Sequence, residues 1–521
     1  MALARTWSVA LSGVTGQLVA VEADLAPGLP GTTVIGLGDA AVVQARDRVR
    51  AAVLNSGHKW PEKRITVALS PAGVPKRGAG YDLAMAVALL AAAGVVGPQA
   101  LGETVLLGEL GLDGSVRPVR GVLPSLLVAR TAGRTAAVVP HGNLSEAALA
   151  TGMQVRGVDT LRDLVDHLRG AAPGLSVPGP AAAPPDGSGP DMADVLGQPE
   201  ARVALELAAA GGHHLAMIGP PGAGKTMLAA RLPGLLPPLD PADALEVTAV
   251  HSVAGSLDES TPLITRPPFV DPHHSASLAA VVGGGSGLIR PGAVSLAHRG
   301  VLFLDEAPEF RPTVLDALRQ PMESGLVLVA RASGAVRFPA RFQLVLAANP
   351  CPCAAAKDVD CTCPSQVRRR YLGRISGPLL DRVDIRLDLP PLDPAALTAG
   401  LDDPPIGSGA GATGRGVGDP EPSAAIRERV RAARHRAAER WSGRPWRCNA
   451  EVPGSELRRA WRPRGRAAAL LHRAADSGVL TGRGYDRVLR LAFTSADLAG
   501  RPEPGETDVA TALALRCGEA A

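Results

Sequence analysis

HHLAMIGPPGAGKTMLAARL, residues 213–232, passes from a short apolar run through a glycine-rich turn into a helical pattern. The run Leu215–Ile218 has the length and bulk of a buried strand, and Gly219, Gly224, Lys225 and Thr226 follow it at the G-x-x-x-x-G-K-T spacing of a phosphate-binding loop. In such a loop backbone N–H groups and a helix N-terminus cradle phosphates. Gly219, Pro220, Pro221, Gly222, Ala223, Gly224, Lys225 and Thr226 are therefore the expected ATP-binding residues, with Lys225 on the outer phosphates and the Thr226 hydroxyl on Mg²⁺. Lys225 is one of only five lysines in an arginine-rich chain.

A phosphate loop needs a neighbouring strand that ends in acid. RGVLFLDEAPEF supplies it: Val301–Leu304 reads as a buried parallel strand followed by Asp305 and Glu306. Asp305 is expected to hold Mg²⁺ and Glu306 to orient and polarise the attacking water. A third strand, FQLVLAANP, ends in Asn349, placed to contact the γ-phosphate or its water. Further on, Arg382 in RISGPLLDRVDIRLDLP sits beside two aspartates, either as a salt-bridged structural residue or as an arginine finger serving a neighbouring subunit.

Working outward, 521 residues exceed what one core can hold. PGLSVPGPAAAPPDGSGP (173–190) reads as a proline-rich linker, and LDDPPIGSGAGATGRGVGDPEP (401–422) as a flexible loop. The expected units are 1–172, a nucleotide-binding core at 191–400, and a helical lid at 423–521. The last carries nineteen arginines against eleven acidic residues, either a nucleic-acid-binding face or a solvated helix surface. The N-terminal stretch is interrupted by polar residues and reads as paired strands rather than a signal peptide. The apolar run at 83–97 is shorter than a bilayer span. A cytoplasmic protein with no membrane partner is expected, with its six cysteines reduced.

DVLGQPEARVALELAAAGGHHLAMIGPPGAGKT, PPFVDPHHSASLAAVVGGGSGLIRPGAVSLAHRGVLFLDE, NPCPC…CTCP and SGPLLDRVDI occur in one order. Together they resemble the ComM/YifB family of magnesium-chelatase-like AAA+ ATPases over nearly the whole chain. The resemblance implies an α/β fold, an AAA+ P-loop parallel-sheet core with a helical lid, assembled into hexameric rings. It also implies a motor for DNA branch migration that helps incoming DNA recombine during natural transformation; a chelatase-like ATPase that remodels a protein partner is the alternative. By this resemblance Arg382 matches the arginine-finger position. Arg483, in TGRGYDRVLRLAFTSADL, matches the lid block that carries sensor 2, with Arg487 and Arg490 as rivals on the same helix.

A second resemblance covers the first 172 residues. ITVALSPAGVPKRGAGYDLAMAVALLAAAG and LLGELGLDGSVRPVRGVLPSLLVAR look like the proteolytic domain of Lon proteases, an α+β (ribosomal S5-like) fold. Gly80 stands where the nucleophilic Ser is required and Leu123 where the Lys is required, and neither Ser70 nor Ser125 has a lysine at the required position. No peptidase activity is expected, and a scaffold or DNA-interaction role is.

Four stretches remain. VLVARASGAVRFPARF (327–342) alternates about a Ser-Gly turn, as a hairpin does. It either points into a central channel, with Arg331 and Arg337 on a phosphate backbone, or lies in solvent. His273 and His274 are read as structural or loop-positioning residues rather than metal ligands, and GGGSG (283–287) as a flexible insert or another channel loop. Cys351, Cys353, Cys361 and Cys363 form two Cys-x-Cys pairs, four soft ligands for a structural Zn²⁺ or four reduced thiols.

Overall fold

The computed structural model describes residues 2–97, 99, 101–171, 175–179, 189–258, 260–285, 289–331, 334–355, 360–391, 421–478 and 480–517. The expected loop at 401–422 falls almost wholly outside these residues, as does much of the 173–190 linker. Ser176, inside that expected linker, bridges to Gly157, so the chain stays attached to the N-terminal domain beyond residue 172.

The N-terminal residues form the expected paired strands, β1 (Ala2–Ser12) and β2 (Thr15–Ala26), joined at Gly13 with φ +70°. They sit in a seven-stranded sheet with β3 (Gly31–Ile35), β4 (Arg64–Ser70), β5 (Thr104–Leu106), β6 (Ala136–Pro140) and β7 (Gln154–Val158), in the order β3-β4-β2-β1-β5-β6-β7. The apolar run that was too short for a membrane becomes α1 (Asp82–Ala92), every residue of which is buried in this domain's core. No described helix is long and apolar enough to cross a membrane.

The second sheet is all parallel: β8 (Leu215–Ile218), β9 (Phe269–Val270), β10 (Val301–Leu304), β11 (Gln343–Ala348) and β12 (Ile385–Asp388), in the order β9-β10-β11-β8-β12. β10 and β11 are buried throughout, which is why their sequences run apolar without alternation. β8 leads into α2 (Lys225–Leu235), and α3 (Pro241–Ala254) follows. Beyond the sheet lie α4 (Ser365–Leu372) and the C-terminal helices α5 (Ser423–Arg440), α6 (Gly482–Leu498) and α7 (Glu506–Cys517). These C-terminal helices share one apolar core with the sheet: Val430, Leu489, Phe493 and Leu513 pack in the same cluster as Leu215, Phe303, Val345 and Ile385.

The hairpin forms as expected from Leu326–Arg331 and Gly334–Pro339, with Val327, Val329, Val336 and Phe338 turned inward. Arg337 is exposed; the side chain of Arg331 lies outside the described residues. The hairpin does not stand free. It meets the β1–β2 turn so closely that a Cβ on Gly13 would lie 2.4 Å from the Arg337 carbonyl oxygen. The domains also join through α3, where buried Glu146 accepts from the Ser252 hydroxyl and from Leu123 N–H. The GGGSG stretch is not simply a flexible insert, because Gly283 and Gly284 are buried and pair with Arg290 and Pro291.

Candidate active site

Parallel strands deliver their loops to one edge, so the segments after Ile218, Leu304 and Ala348 converge. Gly219 must be glycine because a Cβ there would lie 2.8 Å from the Leu389 carbonyl oxygen. Gly222 and Gly224 have φ of +78° and +84°, the left-handed region that L side chains rarely enter, and Gly224 caps α2. The helix N-terminus is thereby aimed into the loop.

Lys225 Nζ donates to Gly219 O at 2.6 Å, Pro220 O at 2.9 Å and Asn349 Oδ1 at 3.0 Å. Desolvation lowers the lysine's pKa, while Asp305 and Glu306 pull it back up. Thr226 Oγ1 donates to Asp305 Oδ2 at 2.8 Å, putting a hydroxyl and a carboxylate side by side as an octahedral Mg²⁺ requires. The sequence-predicted loop, acidic pair and Asn349 are therefore brought together.

Glu306 has φ +50°, rare for a residue with a side chain, and starts the short turn Ala307–Glu309. Its Oε2 lies 3.1 Å from His274 Nδ1. His274, expected from the sequence to be structural or loop-positioning, makes this contact to the acidic strand end besides. The available signal was position, since His274 follows β9, which pairs with β10. Replacing His274 with Ala is expected to lower the ATP turnover number by roughly threefold to tenfold by misdirecting Glu306, with ATP affinity within about twofold of wild type. Steady-state hydrolysis and a fluorescent-nucleotide titration check both; unchanged turnover would leave the contact without a role.

The arginines lie elsewhere. β12 runs parallel to β8 with Leu215 opposite Ile385, so Arg382, just before β12, sits at the far edge of the sheet from the phosphate loop. It donates to Pro378 O at 2.6 Å and pairs with Glu323. At the same edge Arg483 pairs with Asp381 at 3.3 Å and Arg487 with Asp384 at 2.8 Å, while Arg490 donates to Val452 O at 2.8 Å. None of these contacts is with the chain's own phosphate loop. The arginine surplus of the C-terminal region is also largely engaged: Arg429 pairs with Glu206 and Glu421, Arg440 with Asp497, and Arg447 with Asp240 and Asp243.

All four cysteines of the 351–363 loop are free thiols whose Sγ atoms lie within 4.8 Å of one another. In the N-terminal domain, Gly80 and Ser125 line a cleft of about 700 Å³ facing the hairpin, and Leu123 is fully buried. The Ser125 hydroxyl donates to Gly121 O at 2.7 Å.

A glycine loop that opens a helix, a Thr–Asp pair, and a Lys–Asn contact on a five-stranded parallel sheet define a P-loop ATPase of the magnesium-chelatase-like AAA+ class. Three family models agree: "Magnesium chelatase, subunit ChlI" matches residues 191–397, "Subunit ChlI of Mg-chelatase" residues 21–143, and "Magnesium chelatase, subunit ChlI C-terminal" residues 420–516. The chain belongs to the ComM/YifB family. It is 40% identical over 521 residues to competence protein ComM of Haemophilus influenzae, covering 99% of this chain and 98% of that one. It is 40% identical over 498 residues to the uncharacterized protein YifB of Escherichia coli, covering 96% and 94%. An uncharacterized Mycobacterium tuberculosis protein, Rv2897c, is 54% identical over 516 residues, covering 99% of each.

Proposed function

We propose that the protein is an ATP-hydrolysing ring motor that acts on single-stranded or branched DNA, driving branch migration or helicase activity in recombination of incoming DNA. The observation that carries the ATPase part is the convergence of Lys225, Thr226, Asp305, Glu306 and Asn349 at one sheet edge. Lys225 binds the outer phosphates, Thr226 and Asp305 hold Mg²⁺, Glu306 directs water, and Asn349 reads the γ-phosphate. The DNA part is supported by the similarity to a competence protein.

Arg382 and Arg483 face away from their own chain's phosphate loop, an arrangement that favours service to a neighbouring copy, hence a homo-oligomer, read as a hexamer. Residues 191–400 form the motor core and 423–521 its helical companion. Residues 1–172 act as a scaffold without peptidase activity, because Gly80 and Leu123 carry no nucleophile or amine. The four thiols are read as a Zn²⁺ site. The motor works in the cytoplasm, away from membranes.

Hydrolysis measured with single-stranded, duplex and four-way-junction DNA tests the load, with Lys225→Ala as the inactive control. Stimulation of at least severalfold by one DNA form, with junction movement, is expected. Stimulation by none would reject the DNA load and favour the protein-remodelling alternative, since one motor fold drives many loads.

A further inference from the structure

The cysteine loop touches the ATP site at both ends. Cys351 is 2% exposed and follows Asn349 by two residues, and Asn349 accepts from Lys225. At the other end, Cys361 and Cys363 lead directly into α4, and Arg368 Nε donates back to Cys363 O at 3.4 Å. At the end of α4, buried Tyr371 lies near Glu309 and Glu306; its phenol is pushed up to about 12, chiefly by burial and then by these two carboxylates. Arg374 Nη1 donates to Pro308 O at 3.3 Å and to Glu309 Oε2 at 3.1 Å. The turn they grip, Ala307–Glu309, is the one whose first corner is Glu306.

We propose that Cys351, Cys353, Cys361 and Cys363 bind one Zn²⁺ that clamps the Asn349 strand end to α4, and through Tyr371 and Arg374 holds Glu306 in its left-handed corner. Three of the sulfur separations are 3.0, 3.4 and 3.5 Å. A tetrahedral ion with Zn–S bonds near 2.3 Å spaces its thiolates by about 3.8 Å, so the cage suits a single ion and is too tight for a multi-iron cluster. Four thiolates leave no open position for water, which makes the ion structural. Inside the loop the described backbone hydrogen bond is Ala354 N–H to Cys351 O, at a residue with φ +50°. Such a short loop has little apolar surface to offset the entropy of ordering it, and a bound metal supplies that free energy. The clamp rests on reading Asn349 and Glu306 as hydrolytic residues; the metal site does not.

The test uses the full-length chain purified without chelator. Elemental analysis is expected to find one zinc per chain, and none in Cys361→Ser/Cys363→Ser. Hydrogen exchange at 307–309 and 365–374 should rise in that variant, and turnover should fall by about tenfold or more while ATP affinity stays within about twofold. Should the variant fail to fold, wild type is loaded with Co²⁺, whose tetrahedral thiolate absorption reports the site. Zinc withdrawal by a competing chelator, followed by exchange, then reports the clamp. Absence of zinc and of the cobalt spectrum overturns the site. A metal-free chain with unchanged exchange at 307–309 overturns the clamp. Wild type that holds zinc but neither binds nor hydrolyses ATP overturns the ATPase reading instead.

Discussion

Glu306→Gln is expected to bind ATP about as tightly as wild type and to hydrolyse it roughly 10²- to 10⁴-fold more slowly, the range that a positioned general base contributes. The substitution keeps the side chain's shape and its room beside His274 but removes the negative charge that, in the proposed function, polarises water. Lys225, Thr226, Asp305 and Asn349, whose mutual contacts do not involve the Glu306 side chain, are left intact. Single-turnover hydrolysis with a separate binding titration checks the split. Wild-type turnover would remove Glu306 from the chemistry.

The second large effect is on stability. Asp384 is fully buried just before β12, where its carboxylate accepts from Arg487 at 2.8 Å and from His214 N–H at 3.1 Å, with His213 Nδ1 at 3.6 Å. Removing one partner of a buried pair strands the other charge, so Asp384→Ala is expected to cost about 3–5 kcal/mol, read as a lower urea midpoint. Acid should act on the same place in two stages. Desolvation pushes the His214 pKa down from 6.5 to about 4, against the pull of Asp384, and its Nδ1 already accepts from Leu344 N–H. A depressed histidine contributes stability above pH 6.5 that is lost as pH falls toward 4. Burial alone would raise the Asp384 pKa, but Arg487 and the two histidines hold it well below 3.8. Its contribution is thus present above about pH 3.8 and disappears below that. Flat stability between pH 7 and 4 would contradict the first stage.

These two sites differ in how far they can be read from sequence. The phosphate loop, acidic strand and hairpin are local patterns: spacing, apolar run and alternation each lie within some twenty residues. The Glu306–His274 contact, by contrast, joins two strand ends that only the sheet order makes neighbours. The C-terminal arginines mislead in sequence for the same reason. Arg429 looks like one more positive charge until Glu206, more than two hundred residues earlier, is seen beside it. Arg483 lies in a recognisable sequence block, but the edge of the sheet that α6 faces is not a local property of that block. That is settled by packing, through Asp381 and Asp384.

The close seating of Gly13 against the hairpin carries a mechanical corollary. Leu11 and Val14 pack on the hairpin's apolar cluster, while Glu146 and Ser252 anchor the same domain to α3. A hairpin that swung alone would tear the first contact and leave the second. Hairpin, N-terminal domain and α3 are therefore coupled as one stiff unit, so that a load placed on the hairpin is passed to both contacts.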